Sequence, residues 1–137
     1  MNEQTKELTI EALTENVDEV QEFVRVEMER LGASERAIMM MDIAVEEIFV
    51  NIASYAYTPE TGPAHIEVSS DEENITVTFT DEGRPFDPLA REDPDITLPA
   101  DRRRIGGLGI FMAKKGVTDI RYEYRDNKNV LTIHKTL

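Results

Sequence analysis

The sequence predicts an α+β domain, a two-layer α/β sandwich in which a mixed, mainly antiparallel sheet carries helices on one face. Two consecutive stretches place apolar residues at three- and four-residue steps, two pairs of alternating segments look like hairpins, and a short helical pattern introduces the second pair. In chain order this reads β-α-α-β-β-loop-α-β-β.

The segment "KELTIEAL" alternates weakly before a polar stretch and is the first expected strand. Asn16 with Glu19 resembles a capping box, opening a helix whose apolar stripe is Val17, Val20, Phe23, Val24, Met28 and Leu31 and whose end is marked by Gly32. Ser34 is the next N-cap. From Glu35 the residues Ile38, Met41, Val45, Ile48, Phe49 and Ile52 predict a second helix of about twenty residues, closing near the turn-rich "YTPETGP". "AHIEVSS" and "NITVTFTDEG" form a hairpin through the turn "DEEN", with Ile66, Val68, Ile75, Val77 and Phe79 on one face and Thr76, Thr78 and Thr80 on the other. No period holds from Gly83 to Ile105, where prolines and mixed charge predict a long loop, a feature that in a compact domain is either a misassigned element or a functional lid. "GGLGIFMAKKG" is a glycine turn feeding a short helix, and "DIRYEYRD" and "NVLTIHKTL", joined at "NK", are the closing hairpin.

The 137 residues fit one domain, 1–137, long enough to bury a core without crosslinks, and 40% hydrophobic with 31% charged residues is a globular composition. A formal charge of −13 opposes binding to nucleic-acid phosphates or anionic membranes and favours basic protein partners. The absence of cysteine removes disulfides and thiolate metal sites. There is no signal pattern at the N-terminus and no run near the ~18 apolar residues of a membrane span, so a cytoplasmic location is expected.

Three polar features are candidates for a site. Glu47, Asn51 and Tyr55 follow one another at i, i+4 and i+8 on one stripe of the second helix, beside its apolar face; by spacing alone this is either a solvated flank or a site, and Glu46 points elsewhere. "DEGRPFDP" sets Asp81 at a strand end before a glycine turn at Gly83, which by itself says only "turn". In "RRRIGGLGIF", Gly106, Gly107 and Gly109 precede a helix N-terminus whose amides suit phosphate oxygens, with arginines adjacent. It is neither a P-loop nor a G-x-G-x-x-G fingerprint, since Met112 occupies the last glycine position of the latter.

In order and spacing the three features resemble the GHKL superfamily of ATP-binding domains. "AVEEIFVNIASYAY", "DEGRPFDP", "GGLGIF" and the terminal "NVLTIHK" look most like the stand-alone anti-sigma-factor serine/threonine kinases of bacteria, over about residues 5–137. The resemblance implies the Bergerat-type fold, ATP and Mg2+. It matches Asn51 to the magnesium ligand, Glu47 to the general base and Asp81 to the carboxylate that accepts from the adenine amine. Gly83 matches the glycine at the base, and Phe86 lies in the same box. Gly106, Gly107, Leu108 and Gly109 match the phosphate-side glycine box, and residues 84–105 match the ATP lid. The chain departs from the kinase pattern where a histidine often stands, at Tyr55, and where an arginine often precedes the glycine pair, at Ile105; Arg104, one residue earlier, is the substitute.

The implied function is a kinase that sequesters a sigma factor and phosphorylates an anti-anti-sigma protein. It would act without direct nucleic-acid or membrane binding, and a homodimer is compatible with the resemblance. The alternative is an ATP-dependent partner-binding switch with little kinase activity. The catalytic half of a two-component histidine kinase fits less well, because the chain leaves no room for a helical segment bearing a phospho-accepting histidine. His65 and His134 are expected on strands, outside the site.

Overall fold

The computed structural model describes residues 4–90 and 108–137. Strand β1 (Gln4–Glu11) leads through a 3-10 turn at Thr14–Asn16 into helix α1 (Val17–Arg30) and then α2 (Glu35–Asn51). A π-helical turn at Ile52–Ala56 continues α2, followed by β2 (Pro63–Ser70), β3 (Asn74–Asp81), a 3-10 turn at Pro88–Ala90, α3 (Leu108–Gly116), β4 (Asp119–Arg125) and β5 (Lys128–Thr136). The strands form one five-stranded sheet in the order β1-β2-β3-β5-β4, with every pairing antiparallel. No helix among the described residues is long and apolar enough to cross a membrane.

Strict alternation explains why the helices cover one face. Along β2 and β3 every second residue is buried, and the register sets Ile66 opposite Phe79, Val68 opposite Val77, and Val77 opposite Ile133 of β5. Against this apolar face pack Val20, Val24 and Met28 of α1, Val45, Ile48 and Phe49 of α2, and Ile110 and Ala113 of α3. Helix α2 touches both other helices, so its position is settled from three sides. Thr76, Thr78 and Thr80 take the opposite, half-buried face, as their parity requires.

Local signals hold in most places. Ser34 caps α2, its hydroxyl accepting from the Ala37 amide at 3.1 Å, from the extended conformation that lets a cap side chain reach back. Gly32, at φ +75°, ends α1 in a Schellman motif, with Ala33 N donating to Met28 O and Gly32 N to Glu29 O, both at 3.0 Å.

Two expectations are corrected. Asn16 does not cap α1: it ends the 3-10 turn at φ −96°, ψ 3°, outside the extended region a capping side chain needs, and its Nδ2 donates to Glu11 O at 2.9 Å instead. The last hairpin turns at Asp126–Asn127, one residue before the expected "NK". Both have positive φ, 53° and 63°, which Asp and Asn tolerate and Lys does not, and this releases Lys128 to pair with Arg125.

One polar group inside this layer has no sequence signature. Glu27 is 1% exposed at the junction of α1 with strands β1 and β2. Arg30 grips it with two bonds (Nε to Oε1 3.0 Å, Nη2 to Oε2 2.6 Å), Ser70 donates its hydroxyl, and Lys6 Nζ lies 3.4 Å away. The Arg30 bonds, then Ser70 and the nearby positive charges, outweigh desolvation and hold its carboxyl at about 2, against an ordinary 4.5.

Candidate functional site

The C-terminal half of α2 brings two of its polar residues to the edge of the core. Ile48 and Ile52 are buried, Glu47 and Asn51, each directly before one of them, are half-buried, and Glu46 faces solvent. Asn51 lines a pocket between α2 and the sheet, while Glu47 sits one turn earlier on the same side. No hydrogen bond or ion pair among the described residues engages either side chain. The π-helical turn begins right after Asn51, so Tyr55 leaves the regular stripe, is 44% exposed, and stacks on Phe86 with ring centroids 5.0 Å apart at 26°.

Asp81 ends β3 with a buried carboxylate, 5% exposed. Its Oδ1 accepts from the Gly83 amide and from Asn129 Nδ2, each at 2.9 Å, and no hydrogen bond among the described residues uses its Oδ2. Burial pushes its pKa above the ordinary carboxylate value, and the two hydrogen bonds pull it part of the way back. The turn that follows docks on the end of α2. Arg84 N donates to Ala56 O at 2.9 Å, Glu82 N donates to Tyr57 Oη at 2.9 Å, and Tyr57 Oη donates to Pro63 O at 2.6 Å. Gly83 is required by this docking: a Cβ there would overlap the Ala56 carbonyl, and its φ is not positive. Its close contact in this structure is with the π-turn.

The pocket is a narrow cleft open to solvent at its mouth, with a cavity of about 30 Å³ in this structure. Its walls are apolar, from Ile48, Ile52 and Ala56 on the helix side to Phe79 and Leu131 on the sheet, with Phe86 and Pro88 contributed by the segment after β3. Asn51, Asp81 and Asn129 supply the polar groups. The apolar walls can desolvate the face of a flat ring, and the uncommitted oxygen of Asp81 can accept from an amine donor.

Asn129 opens the quoted "NVLTIHK" but was not among the expected site residues. It is 6% exposed and faces Asp81 directly across the β3–β5 register. Besides its bond to Asp81, Nδ2 donates to Arg84 O at 2.8 Å, while Oδ1 accepts from Phe86 N at 3.1 Å and from the Tyr122 hydroxyl. The available signal was parity: Asn129 shares the inward side of its strand with Leu131 and Ile133, a polar residue where a core side chain belongs.

Arg104, Gly106 and Gly107 lie outside the described residues, as does the expected lid beyond residue 90. Leu108 and Gly109 open α3, and only their backbone is described. The histidines stay away from the pocket, on strands as expected. His65 bonds Thr9 at 2.8 Å and Glu7 at 2.9 Å, and His134 bonds Asn74 at 3.0 Å.

The antiparallel sheet, the covering helices and the pocket between α2 and β3 define a class. The histidine kinase-like ATPase domain matches residues 10–135, and the chain belongs to that family. Within it, the chain is similar to proteins named serine-protein kinase RsbW. That of Listeria monocytogenes is 31% identical over 107 residues, covering 74% of this chain and 68% of the relative. That of Oceanobacillus iheyensis is 28% identical over 102 residues, covering 67% of this chain and 61% of the relative. A crystal structure of the RsbU and RsbW domains of a Mycobacterium tuberculosis protein superposes with a TM-score of 0.63 over 96% of this chain and 32% of that one; at 16% identity it speaks to the fold alone.

Proposed function

We propose that this chain is a single ATP-binding domain that acts as a serine/threonine-protein kinase and anti-sigma factor in the cytoplasm. In this role it holds a sigma factor and phosphorylates a serine of a small anti-anti-sigma protein. The observation that carries the nucleotide is Asp81, a buried carboxylate with one oxygen held by Gly83 and Asn129 and the other uncommitted in an apolar slot. The kinase step draws its support from the relatives named serine-protein kinase RsbW. The net charge of −13 suits a basic, nucleic-acid-binding partner.

Each residue has a task in this reading. Asp81 accepts from the adenine amine and so prefers adenine over guanine, whose carbonyl in that place would meet an acceptor. Asn51 fits a magnesium ligand: its amide oxygen is a hard donor at the pocket wall, with no bond to another described side chain. Mg2+ bound there would neutralise charge on the phosphate oxygens. Glu47, one helical turn from Asn51, takes the proton from the attacking serine hydroxyl.

A second reading, a nucleotide-dependent partner switch without efficient transfer, is favoured by Tyr55. Its ring is stacked on Phe86 and carries no positive charge at a position where kinases of this kind often have histidine. Transfer of labelled γ-phosphate from ATP to a candidate antagonist separates the two. The kinase reading expects a labelled serine with wild type, and with Glu47→Gln it expects ATP binding but no label. Wild type that binds ATP and labels no candidate leaves the switch, and labelling by Glu47→Gln at the wild-type rate removes Glu47 as the base.

A further inference from the structure

We infer that Asn129 is a positioning residue for nucleotide recognition: one buried amide sets the orientation of the base-reading carboxylate and holds the segment that walls the pocket. The inference rests on the ATP reading above and assigns a role to a residue that was not among the expected site residues.

All four hydrogen-bonding positions of the Asn129 amide are occupied. One Nδ2 hydrogen goes to Asp81 Oδ1 at 2.9 Å and the other to Arg84 O at 2.8 Å, and Oδ1 accepts from Phe86 N at 3.1 Å and from the Tyr122 hydroxyl. The sheet itself does not need these bonds. Backbone register already pairs β5 with β3 and β4, and four of the five side-chain bonds, including a long one from Nδ2 to Gly83 O at 3.5 Å, reach Asp81 or the segment leaving it. Their effect is local. Tying down Oδ1 of Asp81 leaves Oδ2 as the acceptor for a ligand, and fixing the Phe86 amide places the Phe86 ring against Tyr55. The bond from Nδ2 also favours the ionised form of a carboxyl that burial drives toward protonation. An apolar residue of similar size would fill the space but do none of this.

The test measures ATP and GTP affinity of the full chain by calorimetry between pH 5 and pH 8, for wild type, Asn129→Ala and Asn129→Asp, with melting temperatures alongside. Asn129→Ala is expected to weaken ATP binding by about 10- to 100-fold, the range for losing a bond to a charged group plus a backbone tether. It should also narrow the preference for ATP over GTP and raise the pH at which ATP binding fades on acidification. If Asn129→Ala does not fold, Asn129→Asp keeps the size and sets a second carboxylate beside Asp81, so the pair shares a proton and the same pH midpoint moves up further. Unchanged affinity overturns the inference. So does reduced affinity with unmoved selectivity and pH midpoint, because that pattern belongs to a merely structural residue. Failure of wild type to bind ATP is a different result, one that removes the nucleotide reading and this inference with it.

Discussion

Replacing Asp81 by asparagine should separate ligand recognition from stability. The substituted side chain keeps one oxygen, enough to accept from Gly83 N and Asn129 Nδ2, both 2.9 Å from the present Oδ1. Its nitrogen then presents a donor where the carboxylate presents an acceptor, facing the donor amine of adenine. Losing a charge-assisted bond and burying two opposed donors costs about 2–3 kcal/mol, or roughly 30- to 150-fold in affinity. The preference for ATP over GTP should shrink, since the new amide can donate to the guanine carbonyl. Stability should move the other way. Burial raises the Asp81 pKa above its unfolded value, so the ionised group destabilises the fold at neutral pH and stability is gained as pH falls through the folded pKa. A neutral amide removes that cost, so Asp81→Asn should melt at or above the wild-type temperature at pH 7. Calorimetric titration with ATP and GTP, with thermal unfolding of the same samples, reads both effects. ATP affinity within about threefold of wild type would refute the assignment of Asp81 as base reader, whatever the melting temperature did.

Glu27 makes a stability prediction with the opposite sign. Its carboxyl falls from 4.5 to about 2, equivalent to at most about 3 kcal/mol, and the half-exposed Arg30 and Lys6 screen this to about 1–2 kcal/mol. That stability is complete above pH 4.5 and lost as pH falls toward 2, so urea midpoints of wild type and Glu27→Gln should converge on acidification; a gap constant from pH 7 to pH 3 contradicts it. Gly83→Ala drives a methyl into the Ala56 carbonyl, costing about 1–3 kcal/mol by thermal unfolding and weakening ATP binding as the turn shifts; a wild-type melting temperature would be inconsistent with the docking described. Tyr55→Ala removes the stack on Phe86, worth about 0.5–1.5 kcal/mol, and should speed ATP dissociation by about 2- to 10-fold in stopped-flow displacement, whereas an unaltered rate would place the stack outside binding.

The described strands and α-helices were legible because each has a local cause, while the π-helical and 3-10 turns were not. Helix α2 has Ser34 to start it and an apolar stripe to bury, α1 has Gly32 to stop it, and β2 and β3 alternate without a fault. Two termini were misplaced for reasons equally local. Asn16 follows a 3-10 turn that spacing does not disclose, and Asp126–Asn127 supplies two consecutive left-handed residues where "NK" supplies one.

The site divides along a similar line. Helix period and a strand end made Glu47, Asn51 and Asp81 candidates without deciding between site and bland surface, and only the resemblance carried by the three boxes together pointed to a nucleotide-binding class. Tertiary structure alone decided which partners those residues meet. Asn129 lies 48 residues beyond Asp81 and Glu27 lies 43 before Ser70, and no local pattern pairs groups so far apart until a sheet register or a helix-to-sheet contact sets them side by side. Gly83 belongs to the same category: the chain shows a glycine in a turn, but only the approach of Ala56 shows that no other residue fits. Periodicity and turn chemistry act over a few residues and can be read along the chain, whereas burial, steric exclusion and the completion of a polar network exist only between segments that folding has brought together.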